Sequence, residues 1–179
     1  MAESFSNSLT RAAGIVTSWS GSSVAAASTA ITVTANTGIG VSQLVDNTNF
    51  IAGTKVKQIA GTTIYTDKAS TNAATATNQV ITFLGPTTAY TSAAATKSII
   101  IGGTFANNTE SSINLTVEVY DTSTQTASAL ASKIPVPNGS SFVISDTGKT
   151  LLEAEDQVRV YCDSTDGVDV NLSILTGVN

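Results

Sequence analysis

The 179-residue chain carries a net charge of −5, from 8 basic and 13 acidic residues, and only 12% of its positions are charged against 41% hydrophobic. With no basic cluster, no histidine and a single cysteine, it excludes nucleic-acid binding through a basic patch, a disulfide framework, histidine-based nucleophilic catalysis and an ordinary zinc site. Ser, Thr and Asn must keep the surface wet, and these residues favour strands and turns over helix interiors.

From residue 1 to about 20, Phe5, Leu9, Ala12 and Ala13 have helix-like spacing, with Ser4 or Ser6 as N-cap and Gly14 as a stop. Ile15, Val16 and Trp19 follow, ahead of a Gly21-Ser22-Ser23 break. Two readings stay open: an arm that docks these apolar residues on a neighbour, or a terminal segment covering its own core. The stretch lacks a basic start followed by an apolar run, so no signal peptide is expected. No apolar run approaches membrane-spanning length.

Residues 21–85 read as a small β domain, a barrel or sandwich. Ile31 and Val33 alternate with Thr32 and Thr34, and further short apolar runs are punctuated at Asn36-Thr37-Gly38, Asp46-Asn47, Ala52-Gly53 and Ala60-Gly61. Asp67 to Asn78 reads as a surface loop or a short helix, and Val80 to Phe83 as a closing strand. Gly85-Pro86 ends the domain, and residues 86–97, nearly uncharged, read as a linker.

Residues 98–179 contain the clearest periodicity. In Ser111 to Asp121, Ile113, Leu115, Val117 and Val119 fall at every second position, with Asn114, Thr116, Glu118 and Tyr120 between them. Such alternation predicts a strand buried on one side and wet on the other. Leu130 to Val136 is a further strand, whose end Pro135 and Pro137 place at an edge or corner. Asn138-Gly139 and Thr147-Gly148 predict turns on either side of a strand over Ser141 to Ser145. Val158, Val160 and Cys162 alternate, as do Val168, Val170, Leu172 and Ile174, with Asp166-Gly167 read as a hairpin turn between them. The fold class is therefore all-β: an N-terminal arm, a small β-barrel or sandwich, then an immunoglobulin-like antiparallel β-sandwich.

Little here points to chemistry. Cys162 lies in an alternating apolar row and reads as a small buried hydrophobe rather than a reactive thiol. Glu153, Glu155 and Asp156 are acidic neighbours at a strand entrance, whereas a glycosidase needs two carboxylates opposed across a cleft. Asp163, Asp166 and Asp169 do not match the EF-hand loop, and calcium stays a minor alternative. The Asn-X-Ser/Thr triplets at Asn107, Asn114, Asn138 and Asn171 are expected by chance in such a composition. No catalytic residue, cofactor or metal is assigned.

Three stretches together resemble virion structural proteins of tailed bacteriophages, especially those infecting marine cyanobacteria. These are Phe5-Ser6-Asn7 with Leu9-Thr10-Arg11-Ala12 and Gly14-Ile15-Val16; Gly40-Val41 through Leu44-Val45-Asp46-Asn47 and Phe50 to Val56; and Ile134 to Ser140 with Leu151-Leu152-Glu153-Ala154, Asp156 and Val158. The last of these looks like the sandwich of decoration, neck and tail components, in which a glycine often stands where this chain has Glu155. The resemblance implies a non-enzymatic virion protein, made in the host cytoplasm, that decorates or cements the capsid or forms part of the neck or tail. Its implied partners are capsid, connector or tail subunits and further copies of itself, without nucleic acid or membrane. The partner-docking residues expected from the arm are Phe5, Leu9, Ile15, Val16 and Trp19. The alternative is a tail or head fibre or adhesin that binds a host-surface receptor or glycan through Tyr65, Tyr90 or Tyr120. A carbohydrate-cleaving virion enzyme is the third class.

Overall fold

The computed structural model describes residues 3–144 and 149–178. It is all-β, with no helix among the described residues, and its strands lie in several antiparallel sheets. The chain divides into two compact units, one formed by Met1–Ile15 with Pro86–Asn179 and the other by Val16–Gly85.

The first unit has two sheets. One runs in the order β1 (Ser4–Ala13), β15 (Val168–Val178), β9 (Lys97–Asn107), β12 (Ser141–Ile144), with β13 (Thr150–Leu152) also paired to β9. The other runs β11 (Thr126–Val136), β10 (Ile113–Asp121), β14 (Gln157–Cys162), β8 (Thr87–Thr91). Their inner faces share one core. Ile100, Phe105, Leu152, Val170, Leu172 and Ile174 come from the first sheet; Ile113, Leu115, Val117, Val136, Val158 and Val160 come from the second. The period-two rows read from the sequence supply most of these side chains, with Ile100, Phe105, Leu152 and Val136 added from outside them, and burying each is worth roughly 1.5–3 kcal/mol.

The second unit is a six-stranded sheet in the order β4 (Leu44–Asp46), β7 (Ala76–Gly85), β2 (Ile15–Val24), β3 (Ala30–Thr32), β6 (Thr63–Thr66), β5 (Val56–Ala60). A bridge between Leu44 and Lys55 joins the two end strands. The Val45 amide donates to Thr54 O at 2.8 Å and the Val56 amide to Gln43 O at 2.9 Å, closing the ring. Inside lie Val24, Ile31, Val33, Phe50, Ile64, Ile81 and Phe83.

Several expectations are corrected. Ser4 to Ala13 is a strand, not a helix. Its residues are mostly Ser, Thr and Asn, which are poor in helix interiors, and the ladder to β15 runs in register from Ser4↔Thr176 to Thr10↔Val170. Gly14, at φ +110°, turns this strand into the next. The Gly21-Ser22-Ser23 stretch does not break the chain, because β2 continues through it to Val24. The proposed 86–97 linker contains β8, which pairs with β14. Tyr90 Oη and Ser92 Oγ each hydrogen-bond Ser98 Oγ at 2.9 Å, which ties this segment to β9. Asp67 to Asn78 holds no helix; Ser70 Oγ donates to Ala25 O at 2.8 Å and Asn72 Nδ2 to Val24 O at 3.1 Å. Asp166-Gly167 does not close a hairpin: β14 and β15 belong to different sheets, so this turn arches from one sheet to the other. The wet face expected for β10 is largely dry, with Thr116 and Glu118 both buried. The Asn138-Gly139 turn stands where expected, with Gly139 at φ +71°. The Thr147-Gly148 turn and Ser145 lie outside the described residues.

Candidate docking surface

β1 pairs with β15, β15 with β9, and β9 with both β12 and β13. Ser6, Ser8 and Thr10 of β1 stand opposite Ile174, Leu172 and Val170, which are buried, so these positions face the core. The alternate positions Phe5, Asn7, Leu9 and Arg11 face outward. Following the register outward from Phe5 gives Phe5↔Leu175, Leu175↔Ile99 and Ile99↔Leu151. Four large apolar side chains thus form one row across four strands on the outer face. A second row runs Leu9↔Asn171, Asn171↔Thr104 and Thr104↔Val143. Phe5 is 76% exposed, Leu9 72%, Val143 55% and Leu151 49%.

Two shallow open grooves flank β1 on this side. One of about 400 Å³ lies among Phe5, Asn7, Ile101 and Ser173. The other, about 330 Å³, lies among Leu9, Arg11, Thr104 and Asp169. Arg11 and Asp169 lie at one end of the face and the Lys97–Glu153 ion pair of 3.0 Å at the other.

The structure divides the five expected docking residues. Phe5 and Leu9 lie on the outer face of β1, and Ile15 is half exposed at the start of β2. Val16 and Trp19 belong to the other unit, where Trp19 packs against that unit's core. The first twenty residues are thus shared between the two units. Sequence reasoning missed Ile99, Ile101, Val143, Leu151 and Leu175, because they come from strands whose outward positions only the register reveals.

The tyrosines considered for glycan binding are dispersed. Tyr90 packs against the sandwich core. Tyr120 lies beneath the Arg159 guanidinium, 3.4 Å from ring centre to Cζ. Tyr65 stands on β6 in the other unit.

Four of the aspartates hold backbone amides. Asp156 is buried, accepting from the Glu153 amide at 3.0 Å and the Thr122 amide at 3.3 Å. Asp163 accepts from the Asn114 amide at 2.8 Å, and Asp169 from the Ala12 amide at 2.9 Å. Asp121 accepts from Ser123 Oγ at 2.7 Å and the Thr124 amide at 3.0 Å, bonds that lower its pKa to about 2. No group of three His, Cys, Asp or Glu side chains suited to a metal occurs among the described residues. The Asn107 side chain is buried and donates to Ser111 O at 2.7 Å and Val136 O at 2.9 Å, which leaves it inaccessible to a glycan-transferring enzyme in the folded state.

Comparison with protein-family models, with curated proteins and with solved structures found no match.

Proposed function

We propose that this protein is a non-enzymatic structural component of a tailed-phage virion, seated on a head, neck or tail protein through the outer face of the β1–β15–β9–β12 sheet. In this reading the two-sheet unit is an immunoglobulin-like sandwich that serves as a rigid platform. The observation that carries docking is the uncharged row Phe5–Leu175–Ile99–Leu151, exposed at its ends Phe5 and Leu151 and half-buried at Leu175 and Ile99. Contiguous apolar surface of this kind marks an interaction site, and buried aromatic and aliphatic anchors dominate the energy of such contacts. The virion setting is supported by the three resembling stretches of sequence.

Deleting the first twenty residues is a poor test, because it removes all of β1 and part of β2 and so unfolds what it probes. Leu151→Asp with Val143→Asp keeps every strand and places charge on the face away from β1. The expected result is at least about a tenfold loss of occupancy on particles, with circular dichroism and thermal midpoint retained. Normal occupancy of the double variant sinks docking through this face. Absence of the wild-type chain from purified particles by mass spectrometry sinks the virion reading itself.

A further inference from the structure

We propose that β1 is a self-pairing edge: two copies of this chain join β1 to β1, antiparallel, about a two-fold axis through Asn7. This deepens the docking reading by naming a second copy as the first partner of that surface, and its test needs no virion.

The starting point is how each sheet edge is protected. An exposed strand edge offers unpaired amides and carbonyls to another chain, and proteins blunt such edges with bulges, proline, charge, short strands or a cover. In the sandwich, β8 is covered: Ser8 Oγ and Thr10 Oγ1 donate to its Ala89 O at 2.9 and 3.2 Å. β11 carries two register shifts, Pro135, and Lys133 at φ 49°. β12 spans four of the described residues. The ring of the second unit is closed by the Leu44–Lys55 bridge. Among the described residues, β1 shows no bulge, proline, charge or shortness of strand from Ser4 to Thr10, and β15 is its one strand neighbour there.

The sequence of β1 is also complementary to itself. With Asn7 opposite the partner's Asn7, Phe5 stands opposite the partner's Leu9, Ser6 opposite the partner's Ser8, and Ser4 opposite the partner's Thr10. One step further out, Glu3 meets the partner's Arg11. Apolar faces apolar, hydroxyl faces hydroxyl and acid faces base, each occurring twice by symmetry. Shifting the register by two residues either way sets Phe5 or Leu9 against itself and loses both charge pairs. A two-fold interface requires such self-matching, and cross-strand pairs of these kinds stabilise an antiparallel ladder. Because the axis is perpendicular to the sheet, Phe5 and Leu9 of both copies stay on the outer face. The apolar rows of the two copies then become one wider surface.

A ladder this short is at the low end for a stable interface, so the dimer is expected to dissociate in the micromolar range. Sedimentation velocity over a concentration series reads it in the full chain. Asn7→Cys places one thiol from each copy on the axis, at the Cα separation of a directly opposed pair, about 4.5–5.5 Å, which suits a disulfide. Mild oxidation is expected to cross-link Asn7→Cys and not Ser6→Cys, whose partner position is Ser8; the native Cys162 is buried and serves as internal control. Arg11→Glu is expected to weaken dimerisation by about tenfold, and Glu3→Arg added to it to restore the wild-type value. A wild-type chain that stays monomeric throughout, cross-linking no faster at position 7 than at position 6, or a double variant no better than Arg11→Glu each overturns the proposal. A monomer that still enters particles removes the dimer and leaves the docking reading intact; a dimer that never enters particles does the reverse.

Discussion

Gly14 lies against Cys162 so closely that a Cβ added to Gly14 would stand 2.4 Å from the Cys162 Sγ. The same atom would sit 2.9 Å from Ser164 O, and the backbone at Gly14 has φ +110°, a region that side chains rarely adopt. The site is further fixed by the Gly14 amide, which donates to Thr87 Oγ1 at 3.0 Å, and by the Gly14 carbonyl, which accepts from the Asp166 amide at 2.9 Å. Steric overlap and backbone strain therefore act together. Gly14→Ala is expected to lower stability by about 3 kcal/mol or more, read as a lower urea midpoint at unchanged m-value. Adding Cys162→Ala should return only part of the loss, since it relieves the sulfur contact and not the backbone.

Cys162 itself is buried, and its thiol donates to Ser164 O at 2.8 Å. Burial pushes the thiol pKa up, only partly offset by hydrogen bonds from the Ser164 and Gly167 backbone. The reactive form is the thiolate, so alkylation in the folded state is expected to proceed only through opening. Iodoacetamide labelling should be slow in buffer and rapid in denaturant. Fast stoichiometric labelling of the native chain contradicts the buried-hydrophobe reading of this residue.

Glu155 adopts φ 67° immediately before Asp156, whose carboxylate holds the Glu153 and Thr122 amides. The left-handed conformation costs a residue with a Cβ about 1–2 kcal/mol, and glycine adopts it without that strain. Glycine also loses more entropy on folding, so the net gain from Glu155→Gly is expected to be about 0.5–1 kcal/mol. Thermal or urea unfolding measures it. A destabilised Glu155→Gly variant means that the Glu155 side chain makes a contact that outweighs the strain.

The left-handed backbone at Glu155 was not legible in the sequence, because a glutamate gives no sign of it. The inward rows Ile113–Leu115–Val117 and Val168–Val170–Leu172–Ile174 were readable because strand burial imposes a period of two on one chain segment at a time. What was not readable depends on pairing between distant segments. Asp166-Gly167 has the composition of a hairpin turn, yet composition does not say whether the flanking strands pair with each other or with strands of different sheets. The Phe5–Leu9 spacing suits either a helix or a strand face, and only the β15 partner decides. The outer apolar row draws on residues from positions 5, 99, 151 and 175, and no local pattern joins them. Thr116 and Glu118 look like wet-face residues by alternation. Thr116 instead accepts the Lys133 amide at 3.0 Å where β11 bulges, and Glu118 meets Tyr161.

That last contact gives a pH prediction. Tyr161 Oη donates to Glu118 Oε1 at 2.9 Å, and both side chains are buried. Burial first, then the Glu118 charge and this hydrogen bond, push the Tyr161 hydroxyl far above its ordinary value of 10.0. An acid whose pKa is raised on folding contributes stability that is fully present below the unfolded value, and that stability falls as pH rises beyond it. The expectation is no contribution from Tyr161 to the pH slope up to about pH 9, and a decline above about pH 10 as the unfolded chain ionises there and the folded chain does not. Tyr161→Phe withdraws the donor from a buried carboxylate and is expected to cost about 1–3 kcal/mol at neutral pH. It should also flatten the alkaline part of the curve. Urea unfolding of both proteins across pH 7–11 measures the two effects, and an alkaline slope unchanged in Tyr161→Phe shows that another group controls it.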